Sequence, residues 1–214
     1  MTDERSVYAR AVLGPRDDLL DDVLRRSLLD RELPTIMVDD ETGRLLQLLT
    51  RMMRPQRVIE VGTLFGYSAI HIARAMPPGG RITTLERDPA PAAIARENFA
   101  AAGVQERIEV VVGDALGYLR TVPRESVHML FIDADKASYP AYLKAAYPLL
   151  APGGLLIADD AFADGDFSAE NGERGEPGRH PGITTYNRAV GRSPQLFSAL
   201  VPTGTGLMIS HKEW

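Results

Sequence analysis

Residues 57–86 read RVIEVGTLFGYSAIHIARAMPPGGRITTLE, and this stretch decides the fold. RVIEVG (57–62) is a short apolar run of strand length. Residues 66–76 then space their apolar side chains as a helix does. Pro77-Pro78-Gly79-Gly80 is a turn, and RITTLE (81–86) is a second strand. Strand, helix, strand is a parallel crossover unit, and the unit repeats downstream. Asp88-Pro89 opens a helix that ends at Ala102, with Gly103 as its stop. RIEVVVG (107–113) is a strand, followed by a short helix to Arg120. VHMLFID (127–133) is a strand, residues 138–150 a helix, Pro152-Gly153-Gly154 a turn, and LLIAD (155–159) a strand. The alternation implies an α/β fold, a mostly parallel sheet with helices on both faces. The near-continuous apolar strands agree with a sheet covered on both sides.

Upstream, the first 56 residues read as helical: Leu19, Leu20, Val23, Leu24, Leu28 and Leu29 recur at helical spacing, and residues 40–54 repeat the pattern until Pro55. Downstream, residues 163–182 form an irregular loop, long enough to be either functional or disordered. A helix near 183–190 precedes two strands, 195–201 and 206–211, joined through Pro202 and a Thr/Gly turn. That closing hairpin differs from the ordinary dinucleotide fold, which ends in another crossover. The expected organisation is one domain over 1–214, with a helical segment (1–56) and a Rossmann-like core (57–214).

A chain of 214 residues can bury a full core as one domain. Its 44% hydrophobic and 25% charged content is that of a soluble globular protein. The absence of cysteine excludes disulfides, thiolate metal sites and a cysteine nucleophile. A net charge of −5 counts against binding a phosphate backbone as the main activity, so no nucleic-acid partner is expected. No apolar run is long enough to span a membrane, and residues 1–16 carry five charges without an apolar block, unlike a secretory signal. A cytoplasmic location is the expectation. Of 24 basic residues only three are lysines, Lys136, Lys144 and Lys212. Those mark places where lysine and arginine differ in consequence.

Ligands of open α/β sheets bind outside the carboxyl ends of the strands. Each of the first five expected strands carries a carboxylate there: Glu60 with Gly62, Glu86, Asp114, Asp133, and the pair Asp159-Asp160. Together they point to a ligand bearing hydroxyls, amines or a cation. Glu60-x-Gly62-x-x-x-Gly66 opens the first core helix, where glycines admit a ligand to the backbone and the helix N-terminus favours a negative group. The same glycines also suit a tight, closely packed strand–helix turn. A strict dinucleotide fingerprint would need glycine at 64, where this chain has Leu64, which weakens a nicotinamide reading. Glu86 can accept hydrogen bonds from both hydroxyls of a ribose.

The order of these elements resembles the class I S-adenosylmethionine-dependent methyltransferases, whose seven-stranded sheet ends in an antiparallel strand. The match narrows through MVDDETGRLL (37–46), VIEVGTLFGYSAIHIA (58–73), LERDP (85–89), FIDADK (131–136) followed by Tyr139, and GGLLIADD (153–160). This series is similar to the metal-dependent O-methyltransferases of the caffeoyl-CoA and catechol type. The resemblance implies that Asp133, Asp159 and Asp160 ligate a divalent metal, Mg²⁺ or a relative such as Mn²⁺ or Ca²⁺. Hard carboxylate oxygens suit such ions. The family usually has asparagine at the second position of the pair, where this chain has Asp160, which could instead cap the loop. Lys136 matches the family's general base. A partly desolvated lysine beside a metal has its pKa lowered, whereas arginine stays protonated. A surface lysine paired with Asp135 is the plainer alternative.

By the same resemblance, S-adenosylmethionine would be bound by Val38, Glu60, Gly62, Ser68 and Asp133 around its methionine end. Glu86 would hold the ribose, and Asp114 and Ala115 the adenine. The acceptor would be a small phenolic molecule with vicinal hydroxyls, and the protein a homodimer. A tRNA hydroxyuridine methyltransferase and a metal-independent small-molecule methyltransferase are the alternatives.

Overall fold

The computed structural model describes residue 8 and residues 11–14, 17–162 and 180–213. The expected loop 163–182 therefore lies outside the described residues except for its last three positions. Seven strands form one sheet: β1 (Arg57–Val61), β2 (Arg81–Glu86), β3 (Ile108–Val112), β4 (Val127–Ile132), β5 (Leu150–Ala158), β6 (Leu196–Val201) and β7 (Leu207–Lys212). Their order is β3-β2-β1-β4-β5-β7-β6. Strands β1 to β5 pair in parallel, while β7 is antiparallel to both β5 and β6. Six strands thus run one way and β7 the other, as expected. The chain order reverses between β1 and β4, the place where open α/β sheets bind ligands.

The helices are α1 (Asp18–Arg25), α2 (Asp40–Met53), α3 (Tyr67–Ala75), α4 (Pro89–Ala101), α5 (Ala115–Leu119), α6 (Tyr139–Ala146) and α7 (Pro181–Gly191). Asp17, Asp39, Asp88 and Asp114 cap α1, α2, α4 and α5, each accepting from a backbone N–H in the first turn. The N-terminal segment is less continuous than its leucine spacing implies: α1 widens into a π turn at Arg26–Asp30 and the chain then runs without helix to Asp39. The other large departure is β5. It begins at Leu150 rather than at residue 155. Leu150 pairs with Val127 and Leu155 with Met129, so the Pro152-Gly153 pair is an irregularity inside the strand instead of a turn before it.

Alternation along the central strands sorts the core into two layers. Val58, Met129, Phe131 and Ile157 pack on one face with Leu46 of α2, Ile70 of α3 and Phe99 of α4. Ile59, Val61, Leu130, Ile132 and Leu156 pack on the other with Leu119 of α5, Tyr139 of α6 and Tyr186 of α7. Both faces are covered, which is why these strands are apolar throughout. Among the described residues no helix is long and apolar enough to cross a membrane.

Candidate active site

The exits of β1, β2, β4 and β5 open on a cleft of about 690 Å³. Gly62 leaves β1 at φ 101, and a Cβ there would stand 1.8 Å from the Asp133 carbonyl oxygen. Only glycine lets the exits of β1 and β4 lie this close. Glu86, at the end of β2, accepts from the N–H groups of Thr63 (3.2 Å), Leu64 (2.9 Å) and Asp88 (3.0 Å). It holds the loop that brings Leu64 to φ 48. An ionised carboxylate offers about four acceptor positions, so these three bonds do not exhaust it.

Ser68, in the first turn of α3, faces the cleft, and its hydroxyl donates to Glu60 at 2.6 Å. Glu60 itself does not line the cleft. Alternation turns its side chain to the same face as Val58, where it is fully buried and also accepts from Thr84, whose hydroxyl meets that of Thr63 at 2.6 Å. Glu60 thus stands behind Ser68, one layer back from the cleft. Burial pushes its pKa up to about 7, further raised by Asp133 and Glu86 and opposed by the Ser68 and Thr84 hydroxyls. Val38, Asp114 and Ala115 do line the cleft; Val38 is buried, and Asp114 already accepts from the Gly117 N–H at 2.7 Å. Tyr67 lines it too, while His71 packs edge-on against the Tyr67 ring and stays out of it.

Asp133, Asp159 and Asp160 bring carboxylate oxygens within 4.8 Å of one another. Lys136 sits among them, 3.3 Å from Asp133 and ion-paired with Asp160. Asp160 adopts φ 56, a left-handed conformation that Asp and Asn tolerate better than most residues. Burial and repulsion from its two neighbours push Asp159 up; burial also raises Asp133, with Lys136 pulling it back. The expectation for Lys136 is a pKa lowered by partial desolvation beside a bound metal. Burial acts in that direction, but the Asp133 and Asp160 carboxylates outweigh it and hold the ammonium above its ordinary value. One lysine thus balances three carboxylates incompletely. Hard oxygen donors with surplus negative charge fit a divalent cation.

Asp135 takes no part in this cluster. It caps the turn Lys136–Ser138 and accepts from the Tyr142 hydroxyl at 2.8 Å. Three residues that sequence reasoning left without a role shape the site. Tyr139, fully buried, donates to the carbonyls of Ile132 (3.4 Å) and Asp159 (3.2 Å), tying the exits of β4 and β5 together. Thr84 anchors Glu60. Thr205, between β6 and β7, donates to Asp159 at 3.0 Å.

The sequence profile of the O-methyltransferase family matches residues 12–213. The catechol O-methyltransferase of Niastella koreensis is 39% identical over 197 residues, covering 91% of this chain and 87% of that protein. The catechol O-methyltransferase of Mycobacterium tuberculosis is 39% identical over 171 residues, covering 75% and 78%. A crystal structure of an O-methyltransferase from Bacillus cereus in complex with SAH superposes with a TM-score of 0.86 at 32% identity, covering 98% of this chain and 97% of that one.

Proposed function

This chain belongs to the O-methyltransferase family and is an S-adenosylmethionine-dependent O-methyltransferase, and from that premise we propose that it methylates one hydroxyl of a small catechol-like aromatic with the help of a divalent metal. The observation that carries this reading is the convergence of Asp133, Asp159 and Asp160 beside Lys136 in the cleft that also holds Ser68 and Glu86. The two relatives named catechol O-methyltransferase support the acceptor class.

Val38, Gly62, Ser68 and Asp133 surround the methionine end of the methyl donor, Glu86 takes one ribose hydroxyl, and Asp114 and Ala115 flank the adenine. Glu60 acts through Ser68 without touching the donor. Asp133, Asp159 and Asp160 would hold Mg²⁺, or Mn²⁺ or Ca²⁺ in its place. A divalent ion, when bound, lowers the pKa of a neighbouring hydroxyl and takes up the negative charge that otherwise keeps Lys136 protonated. Lys136 accepts the acceptor's proton at Nζ; the freed oxygen forms a bond to the methyl carbon as the carbon–sulfur bond breaks, leaving S-adenosylhomocysteine. A low-dielectric cleft wall and fixed orientation supply the rest of the rate. By the family resemblance the protein works as a homodimer.

The test compares catechol with phenol as acceptors, with S-adenosylmethionine and Mg²⁺ present. Methyl ether should form from catechol and not from phenol. Equal turnover of both would remove the vicinal-dihydroxy requirement.

A further inference from the structure

Lys136 ion-pairs with Asp133 and Asp160, which leaves Asp159 as the member of the trio that the lysine does not hold. Asp159 is also the most deeply buried of the three, at 3% exposure. Its carboxylate accepts from the Thr205 hydroxyl at 3.0 Å, across 46 positions of sequence, and from the adjacent Asp160 backbone N–H. We propose that Thr205 is a positioning residue of the metal site: it fixes the rotamer of Asp159 so that its carboxylate faces Asp133 and Asp160. This rests on the reading of the trio as a divalent-metal site.

The turn that carries Thr205 is itself pinned from several directions. The Gly206 N–H donates to the Thr203 carbonyl (3.2 Å), and the N–H groups of Ala161 and Phe162 donate to the carbonyls of Gly206 (2.9 Å) and Thr205 (3.1 Å). Those two residues follow directly on Asp160, so the turn and the end of the carboxylate pair are stitched along the backbone. On the far side the Gly204 N–H donates to Asp39 Oδ2 at 3.1 Å. A Cβ at 204 would stand 2.4 Å from that oxygen, so a larger residue there would push the Asp39 carboxylate aside. Asp39 at the same time caps α2, accepting from the Thr42 N–H at 2.7 Å. It directly follows the segment Thr35, Ile36, Met37, Val38 that lines the cleft. Thr205 is therefore presented by a turn that cannot drift without losing hydrogen bonds to Ala161 and Phe162 on one side and to the Asp39 carboxylate on the other. A hydroxyl held this rigidly is suited to orienting a ligand carboxylate, as outer-shell donors do in metal sites generally.

The test is calorimetric titration of Mn²⁺ into chelator-stripped full-length protein for the wild type, Thr205→Val and Thr205→Ser. Valine keeps the shape and removes the donor; serine keeps the donor. The expected result is a loss of about tenfold or more in Mn²⁺ affinity for valine and near wild-type affinity for serine. S-adenosylhomocysteine affinity and melting temperature should stay near wild type in both variants. Wild-type Mn²⁺ affinity in Thr205→Val would overturn the assignment while leaving the metal reading intact. An equal loss in the valine and serine variants would also overturn it, since shape rather than the donor would then matter. Absence of Mn²⁺ binding by the wild type would overturn the metal reading, and this assignment with it.

Discussion

Glu60 accepts the Ser68 hydroxyl at 2.6 Å from the buried side of the sheet, while Ser68 turns its other face to the cleft. The carboxylate that looked like a ligand contact is thus one layer behind it. Its burial has a consequence for stability. The folded pKa, about 7, lies above the ordinary 4.5. Protonated Glu60 is favoured in the folded state, so its contribution is complete below pH 4.5 and is lost as pH rises through 7. Glu60→Gln should therefore gain on the wild type by something on the order of 3 kcal/mol between pH 5 and pH 9. Urea denaturation of both proteins at the two pH values measures it. Parallel curves would show that Glu60 does not titrate in this window.

His71 runs in the opposite sense. It is buried between α2 and α3, with Nδ1 3.1 Å from Gln47 Oε1. Burial lowers its pKa to about 4 from 6.5, opposed by the Asp40 carboxylate and reinforced by the Arg74 guanidinium. A base with a depressed folded pKa leaves stability complete above 6.5 and lost as pH falls toward 4. His71→Gln should flatten the acid limb of the stability profile by something on the order of 3 kcal/mol between pH 7 and pH 4. Thermal melts across that range, wild type against variant, give the comparison.

Lys136→Ala should lower turnover by about a hundredfold or more, the usual scale of a lost general base. S-adenosylhomocysteine affinity should change little, because other residues line the donor's side of the cleft. Lys136→Arg should not restore turnover, because the guanidinium does not give up its proton. Steady-state rates beside calorimetry separate the two effects, and an active arginine variant would remove the base from Lys136.

Gly62→Ala places a methyl 1.8 Å from the Asp133 carbonyl oxygen at φ 101. The backbone of β1 or β4 must yield, costing about 3 kcal/mol or more. A urea midpoint near that of the wild type would show that the two exits can separate cheaply.

Much of this was legible in the sequence because the physics is local. Apolar strands separated by helical segments identify a doubly covered sheet, and the exits of parallel strands gather at one edge whatever the loops do. FIDADK and IADD lie at two such exits, on strands that pair directly, so Asp133, Asp159, Asp160 and Lys136 could be brought together by motif and resemblance. The place of Glu60 follows from alternation: it shares the face of Val58, opposite Ile59 and Val61. The start of β5 was hidden because Pro152-Gly153 reads as a turn, and only pairing with β4 turns it into an irregularity of the strand. Thr205 could not be found by spacing at all. Its bond to Asp159 exists only because β7 inserts beside β5 and carries the preceding turn back to the site.

The central claim is that a divalent ion held by Asp133, Asp159 and Asp160 is needed for methyl transfer. The direct measurement is methyl ether formation from catechol and S-adenosylmethionine by chelator-stripped protein, first in excess EDTA and then with Mg²⁺ restored. The expected result is no product above background in EDTA and full recovery on adding Mg²⁺, with Asp133→Ala inactive under both conditions. Undiminished turnover in excess EDTA would contradict the claim.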